Sequence, residues 1–306
     1  MSKLIIEKEI LINAPIEKVY DVIGDFHSWQ HWSPWLICEP TAKVKINSTG
    51  DFYSWEGKRV GSGQMKILNK LDNRIDYDLT FIKPWKSQAD VSFILSEKEG
   101  QTLAKWTMSS KWPFYLFFMR KKMEVLVGMD YERGLRMLKE FAEDGRIYSH
   151  LDFMGNQTYN GCSFMGIKTQ TTMTKMGDSM KNDFGILSSF AKDNNIEMHG
   201  QPFTQYHKFD FVTGEVEYTA GLPIAEKPSS LSSNLFFGNM EAFSMNVVRH
   251  KGKYDHMGNA WSAQIMMTRN KEFKQSKKIH PFELYHNSPM NTAPEELVTD
   301  ICFPLK

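Results

Sequence analysis

The pattern PFxxYH occurs twice in the second half of the chain, as Pro202-Phe203-Thr204-Gln205-Tyr206-His207 and, 79 residues on, as Pro281-Phe282-Glu283-Leu284-Tyr285-His286. A repeat of this kind restricts the fold more than local propensity does, because two copies of one pattern imply two copies of one supersecondary unit. The surroundings repeat as well. Each copy is followed by an alternating apolar segment that ends in proline, 216–223 and 297–304, and preceded by a helical stretch, 176–192 and 254–268. Ahead of each helix lies a strand-like run, 162–169 and 243–249. The expected unit is strand, helix, strand, strand, with repeats at about 156–225 and 240–306 and a joining loop over 226–239.

The first half has a different grammar. In Arg74 to Phe81 the residues Ile75, Tyr77, Leu79 and Phe81 are apolar while Arg74, Asp76, Asp78 and Thr80 are polar, the period of a strand with one buried face. Similar alternation over 4–12, 65–71, 91–95 and 103–109, with Gly, Asn, Asp or Pro between, predicts one curved antiparallel sheet. From 121 to 141 the period changes: Met123, Leu126, Val127, Tyr131, Leu135, Leu138 and Phe141 recur at three and four, which predicts a long amphipathic helix. A sheet this wide cannot be filled by one helix, so a cavity between them is expected. Residues 143–160 lack sustained periodicity and carry two glycines, placing the boundary near 150. The expected domains are 1–148 and 152–306, in an α+β protein.

Length and charge set the outer limits. At 306 residues the chain suits two domains, each able to bury a core. Lys and Arg number 37 against 36 for Asp and Glu, so the net charge of +1 supplies no overall field for nucleic acid or an anionic membrane. Any charged ligand must be met locally. The longest apolar run, Trp112 to Met119, is closed by Arg120-Lys121-Lys122 and falls far short of the roughly 20 residues of a membrane span. Three scattered cysteines, Cys38, Cys162 and Cys302, offer no CxxC pair, which points to a reducing compartment. The first thirteen residues, MSKLIIEKEILIN, do not read as a signal peptide, so a cytoplasmic protein is expected.

Two stretches resemble known families. Asn13-Ala14-Pro15, Val19-Tyr20-Asp21-Val22-Ile23 and the run Asp25-Phe26-His27-Ser28-Trp29-Gln30-His31-Trp32-Ser33-Pro34-Trp35, with Trp55-Glu56-Gly57 and Val60-Gly61-Ser62-Gly63 later, resemble the polyketide cyclase/START-related superfamily (SRPBCC) over about 3–145. That resemblance implies a helix-grip fold around an apolar cavity. Roughly 155–306 resembles the GyrI-like small-molecule-binding domain, also found as the effector-binding domain of bacterial drug-sensing transcription activators. The residues that carry it are His250-Lys251-Gly252-Lys253-Tyr254, a helix with Trp261, Phe282-Glu283-Leu284-Tyr285, Ser288-Pro289 and the closing segment 296–305. The resemblance implies a duplicated strand-helix-strand-strand domain with a central cleft, in which an acidic residue among aromatics meets cationic, lipophilic ligands; Glu283 matches it. The activators carry a helix-turn-helix before this domain whereas this chain has the helix-grip sequence, so direct nucleic acid binding is not expected.

On the strand 282–285, alternation puts Glu283 and Tyr285 on one face and Phe282 and Leu284 on the other. A carboxylate among aromatics and without a fixed cation has a raised pKa and favours a ligand that brings positive charge, with Tyr206 and Tyr285 adding cation–π contact. Tyr254 and Trp261 complete this set. The first copy has Thr204 at the position of Glu283, which argues against a structural role shared by both copies. In the first half, Trp32, Trp35, Trp55, Tyr77 and Trp106, with Trp85 and Trp112, form a dense aromatic set that is expected to line the grip cavity. His27 and His31 stand at i, i+4, but no HExxH-type Glu lies between them and no metal is expected. Gly61-Ser62-Gly63 matches neither a phosphate loop nor a nucleophile elbow and reads as a turn into a strand.

The sequence is thus read as a cytoplasmic, multidrug-type binder or sensor of amphipathic, cationic aromatic compounds, with no cofactor, no membrane span and a second apolar pocket in its N-terminal domain. Homodimerisation or a protein partner remains open. Signalling would run through domain rearrangement, a partner or sequestration. Binding without turnover is the favoured reading; the alternative is a hydrolase or cyclase with Glu283 as general base and Tyr206 or Tyr285 as proton donor.

Overall fold

A computed structural model describes residues 2–306, and the chain divides into two compact units, Met1–Ser149 and His150–Lys306. In the first unit β1 (Ser2–Ile12) leads into two short helices, α1 (Ile16–Ile23) and α2 (Phe26–Trp32). Then come β2 (Lys43–Ile46), β3 (Phe52–Glu56), β4 (Ser62–Leu71), β5 (Arg74–Lys83), β6 (Ser87–Lys98) and β7 (Gln101–Trp112). They form a seven-stranded antiparallel sheet in the order β1-β7-β6-β5-β4-β3-β2. The alternation read from the sequence is the burial pattern observed: Ile75, Tyr77 and Leu79 of β5 are buried.

The long helix α3 (Arg120–Asp144) buries Tyr131, Leu135 and Leu138 against this sheet, and Gly145, in the left-handed region at φ 72°, ends it. Gly134 of α3 lies directly over Trp106, where an added Cβ would come within 2.7 Å of the indole ring. The helix can therefore approach the sheet closely only with glycine at this position. The elements α1, α2, β2 and β3 are too short to show a sustained period, and packing defines them.

Glu39 explains the Trp55–Gly63 motif. Its buried carboxylate accepts from the backbone N–H groups of Lys58, Arg59 and Val60 at 2.7, 2.8 and 2.9 Å. These three donors converge because the loop turns tightly, and Gly61 (φ 68°) carries the chain into β4 at Ser62, as the reading of Gly61-Ser62-Gly63 as a turn expected. A Glu39→Ala variant leaves three N–H groups without their acceptor and is expected to lose about 2–4 kcal/mol of stability, read from urea unfolding.

The second unit runs β8 (Ser149–Tyr159), β9 (Cys162–Thr172), α4 (Met176–Asp193), β10 (Phe203–Phe209), β11 (Glu215–Pro223), β12 (Phe236–Met240) and β13 (Phe243–Gly252). It closes with α5 (Gly258–Arg269), β14 (Phe282–Tyr285) and β15 (Val298–Pro304). Its eight strands lie in the order β12-β9-β11-β10-β14-β15-β13-β8. The duplication is explicit in that order, since β9-β11-β10 mirrors β13-β15-β14 about the centre. Two expectations need correction. Residues 226–239 are not all joining loop, and the aperiodic text up to residue 160 is not all linker. β12 and β8 are edge strands, and each pairs with the other repeat, β8 with β13 and β12 with β9. Edge strands are held by one neighbour only, so tertiary pairing rather than alternation defines them.

Among the described residues no helix is long and apolar enough to cross a membrane.

Candidate functional site

β10 and β14, the two strands that carry PFxxYH, pair antiparallel at the middle of the second sheet, with Thr204 opposite Glu283. Equivalent positions of the two repeats thus face one another across the local symmetry axis. One face of β14 sends Phe282 and Leu284 into a cluster with Phe164, Phe203, Met245, Val247 and Cys302. The other face presents Glu283 and Tyr285 beneath α4 and α5, as alternation required.

Glu283 is only 2% exposed. The Trp261 indole N–H of α5 donates to its Oε1 at 2.7 Å, and the Tyr285 hydroxyl donates to its Oε2 at 2.7 Å while lying 2.9 Å from Thr204 Oγ1. The Tyr206 hydroxyl acts on the same carboxylate and helps to hold its pKa down. The Tyr206 ring packs edge-on to Trp261 with centroids 5.2 Å apart. Tyr254 and Phe184 close on Tyr285 at 6.1 and 5.6 Å. Five of the residues singled out from the sequence, Glu283, Tyr285, Tyr206, Tyr254 and Trp261, are therefore one cluster. Phe184 was missed, because an apolar residue on an amphipathic helix gives no sign of which strand it will cover.

Among the described residues no Lys, Arg or His pairs with Glu283. Burial pushes its carboxyl pKa up, opposed by the hydrogen bonds from Tyr285, Trp261 and Tyr206. Burial, and next the Glu283 charge, raise Tyr206 and Tyr285 well above the ordinary phenol range and Tyr254 to about 12. The phenols are hence neutral donors. The site offers a buried carboxylate that is hydrogen-bonded and, among the described residues, paired with no cation, walled by aromatic rings.

The opposite face of the sheet carries an open cavity of about 330 Å³, lined in part by Leu284, Met245, Cys162, Arg249 and Asp300. Its charges satisfy each other, with Arg249 forked onto Asp300 at 2.7 and 2.9 Å and His286 on the same carboxylate at 2.7 Å. Glu283 lacks such a partner, and this separates the two faces chemically.

The N-terminal aromatics come together largely as core. Trp32, Tyr77 and Trp106 are fully buried. Trp106 stacks on Tyr131 at 4.0 Å and on Phe93 at 5.0 Å, and Trp32 sits 4.7 Å from Trp29. Among the described residues the indole N–H groups of Trp32 and Trp106 have no hydrogen-bond partner. Trp35 and Trp55 remain half-buried, the first donating to Asp130 and the second to the Val60 carbonyl. Trp112 is buried and donates to the Leu116 carbonyl at 2.8 Å. Trp85, expected to line a cavity with the others, lies on the surface instead.

His27 Nδ1 bonds Asp25 at 2.8 Å while His31 stacks on Phe141 at 5.3 Å. The two imidazoles thus have separate partners, and among the described residues no group of three or more His, Cys, Asp or Glu side chains is gathered as for a metal ion.

Residues 3–143 match the family described as polyketide cyclase / dehydrase and lipid transport, and residues 160–306 match the GyrI-like small molecule binding domain. Both resemblances read from the residues hold. Among solved structures, the chain is similar to the EcmrR C-terminal domain, at 18% identity and TM-score 0.45 over 52% of this chain and 98% of that one. It is also similar to the Aha1 dimer from Colwellia psychrerythraea, at 20% identity and TM-score 0.35 over 47% of this chain and 98% of that one. No curated protein matches the chain.

Proposed function

We propose that this two-domain protein, a polyketide cyclase-like helix-grip domain followed by a GyrI-like small-molecule-binding domain, captures amphipathic, cationic aromatic compounds against Glu283. The observation that carries this reading is the carboxylate of Glu283, buried under Tyr206, Tyr254, Tyr285 and Trp261 with two hydrogen-bond donors at 2.7 Å and, among the described residues, no cation. A ligand cation supplies the missing counter-charge, and the surrounding rings supply apolar and cation–π contact that a hydrated inorganic ion cannot use. Because the rings close over the carboxylate, capture requires the half-buried Tyr254, Trp261 or Phe184 to swing aside. A second, neutral apolar ligand in the N-terminal unit would meet Trp35 and Trp55, the partly exposed members of its aromatic set, rather than Trp32, Tyr77 or Trp106. Three free thiols suit a cytoplasmic setting.

One observation favours turnover instead: the Tyr285 hydroxyl sits 2.7 Å from the Glu283 carboxylate, the reach of a general acid beside a general base. Thermal shift of the intact chain with lipophilic cations, neutral aromatics and fatty acids, followed by mass spectrometry of the same mixtures, tests both readings. Stabilisation by cations recovered unchanged is the expected result. Chemically altered compounds would replace the binder by a hydrolase or cyclase, and stabilisation by neutral lipids alone would move the site to the N-terminal unit.

A further inference from the structure

The first unit carries an apolar surface that the Glu283 site does not involve. After β7 the chain makes a 3-10 turn, Phe114–Met119, in which Phe114, Tyr115, Phe117 and Phe118 are 64–80% exposed. The turn is pinned rather than frayed. The indole of Trp112 donates to the Leu116 carbonyl at 2.8 Å, and Leu116 packs against the core, so the other four rings are turned outward.

The strand register brings a second segment to the same end of the sheet. β6 pairs with β7 from Ala89↔Ser110, and β5 pairs with β6 from Phe81↔Ser87, so the 82–86 turn lies beside the end of β7. That turn exposes Ile82 and Trp85. Around both segments stand Lys83, Lys86, Lys111, Arg120, Lys121 and Lys122. Arg120 pairs with Glu124 at 2.8 Å and Lys83 with Glu56 at 3.7 Å, whereas Lys86, Lys111, Lys121 and Lys122 are exposed and meet no carboxylate among the described residues. Helix stability does not account for the Arg120-Lys121-Lys122 run, because cations in a first turn oppose the macrodipole.

We propose that this end of the helix-grip unit docks peripherally on an anionic lipid bilayer, inserting Phe114, Tyr115, Phe117, Phe118 and Trp85 at headgroup depth while the lysines meet lipid phosphates. Aromatic rings favour the membrane interface, and each cation near an anionic surface adds about fivefold in affinity. A twofold pairing of two copies through this surface would set lysines against lysines. A stacked nucleic acid fits poorly too, since neighbouring rings stand perpendicular, at 85° for Phe114–Tyr115 and 89° for Phe117–Phe118, with aliphatic Ile82 and Met119 among them.

The test is co-sedimentation of the full chain with vesicles of equimolar phosphatidylcholine and phosphatidylglycerol, against phosphatidylcholine alone. Binding to the mixed vesicles only, weakened by salt, is expected. The paired change Phe117→Ser with Phe118→Ser, and separately Lys121→Glu with Lys122→Glu, should each lower it about tenfold or more. Fluorescence quenching by brominated lipid, lost in Trp85→Phe, reports insertion without depending on those variants. Absence of binding, binding unchanged in both paired variants, or concentration-dependent dimers in light scattering that the Phe117/Phe118 change abolishes would overturn the proposal.

Discussion

Glu283→Gln is expected to weaken the binding of a lipophilic aromatic cation by about 30- to 1000-fold, some 2–4 kcal/mol, while a neutral isostere of the same compound binds nearly as before. The magnitude follows from burial. A carboxylate 2% exposed has no water to replace the lost ion pair, so removing its charge removes most of the attraction. Isothermal titration of both ligands against both proteins measures the difference, and equal losses for cation and isostere would assign Glu283 a packing role only. Proton linkage gives the same residue a pH signature. Because burial raises its pKa, affinity for a permanent cation should climb with pH, by up to about tenfold per unit, until the carboxyl is ionised and then level off. Without ligand the sign for stability is the reverse: the raised folded pKa makes the contribution full below the ordinary carboxylate value and lost as pH rises through the folded one. Glu283→Gln should flatten that fall.

Acidification is expected to cost the second unit about 3 kcal/mol through His250 alone. This imidazole is fully buried on β13, and burial, aided by His256 and His150, pulls its pKa from 6.5 to about 4. Between those values the unfolded chain holds a proton that the folded chain refuses, so stability is full above 6.5 and falls as pH drops toward 4. Asp300 works in the same direction at lower pH, since Arg249 and His286 hold its carboxyl below the usual range despite burial. Melting temperatures measured across this interval should fall steeply in the natural chain and more gently in His250→Gln. Parallel slopes would show that His250 does not titrate as its surroundings require.

The two-unit plan is legible in the chain's patterning, because period-2 and period-3.6 patterns record which side chains must leave water, whatever they pack against. Residues 74–81 are an alternating strand and 121–141 an amphipathic helix for that reason alone. The PFxxYH repeat likewise determined the duplication, and alternation placed Glu283 and Tyr285 on one face of β14. The resemblances to polyketide cyclase and GyrI-like sequences imply the two folds without any distance. Edge strands were not legible in the same way. β8 and β12 have weak patterns, and an edge becomes a strand only when a neighbour satisfies its backbone. That neighbour belongs to the other repeat, which no local window contains. Tertiary structure alone also decided which aromatic side chains are core and which are surface, sending Trp106 inside against Tyr131 and Trp85 outside with the 114–119 turn. It decided the surroundings of Glu283 as well, since the side chains that close over the carboxylate, Tyr206, Tyr285 and Trp261, come from separate elements, β10, β14 and α5. Burial and hydrogen bonding depend on what converges in space, and spacing along a chain does not encode that convergence.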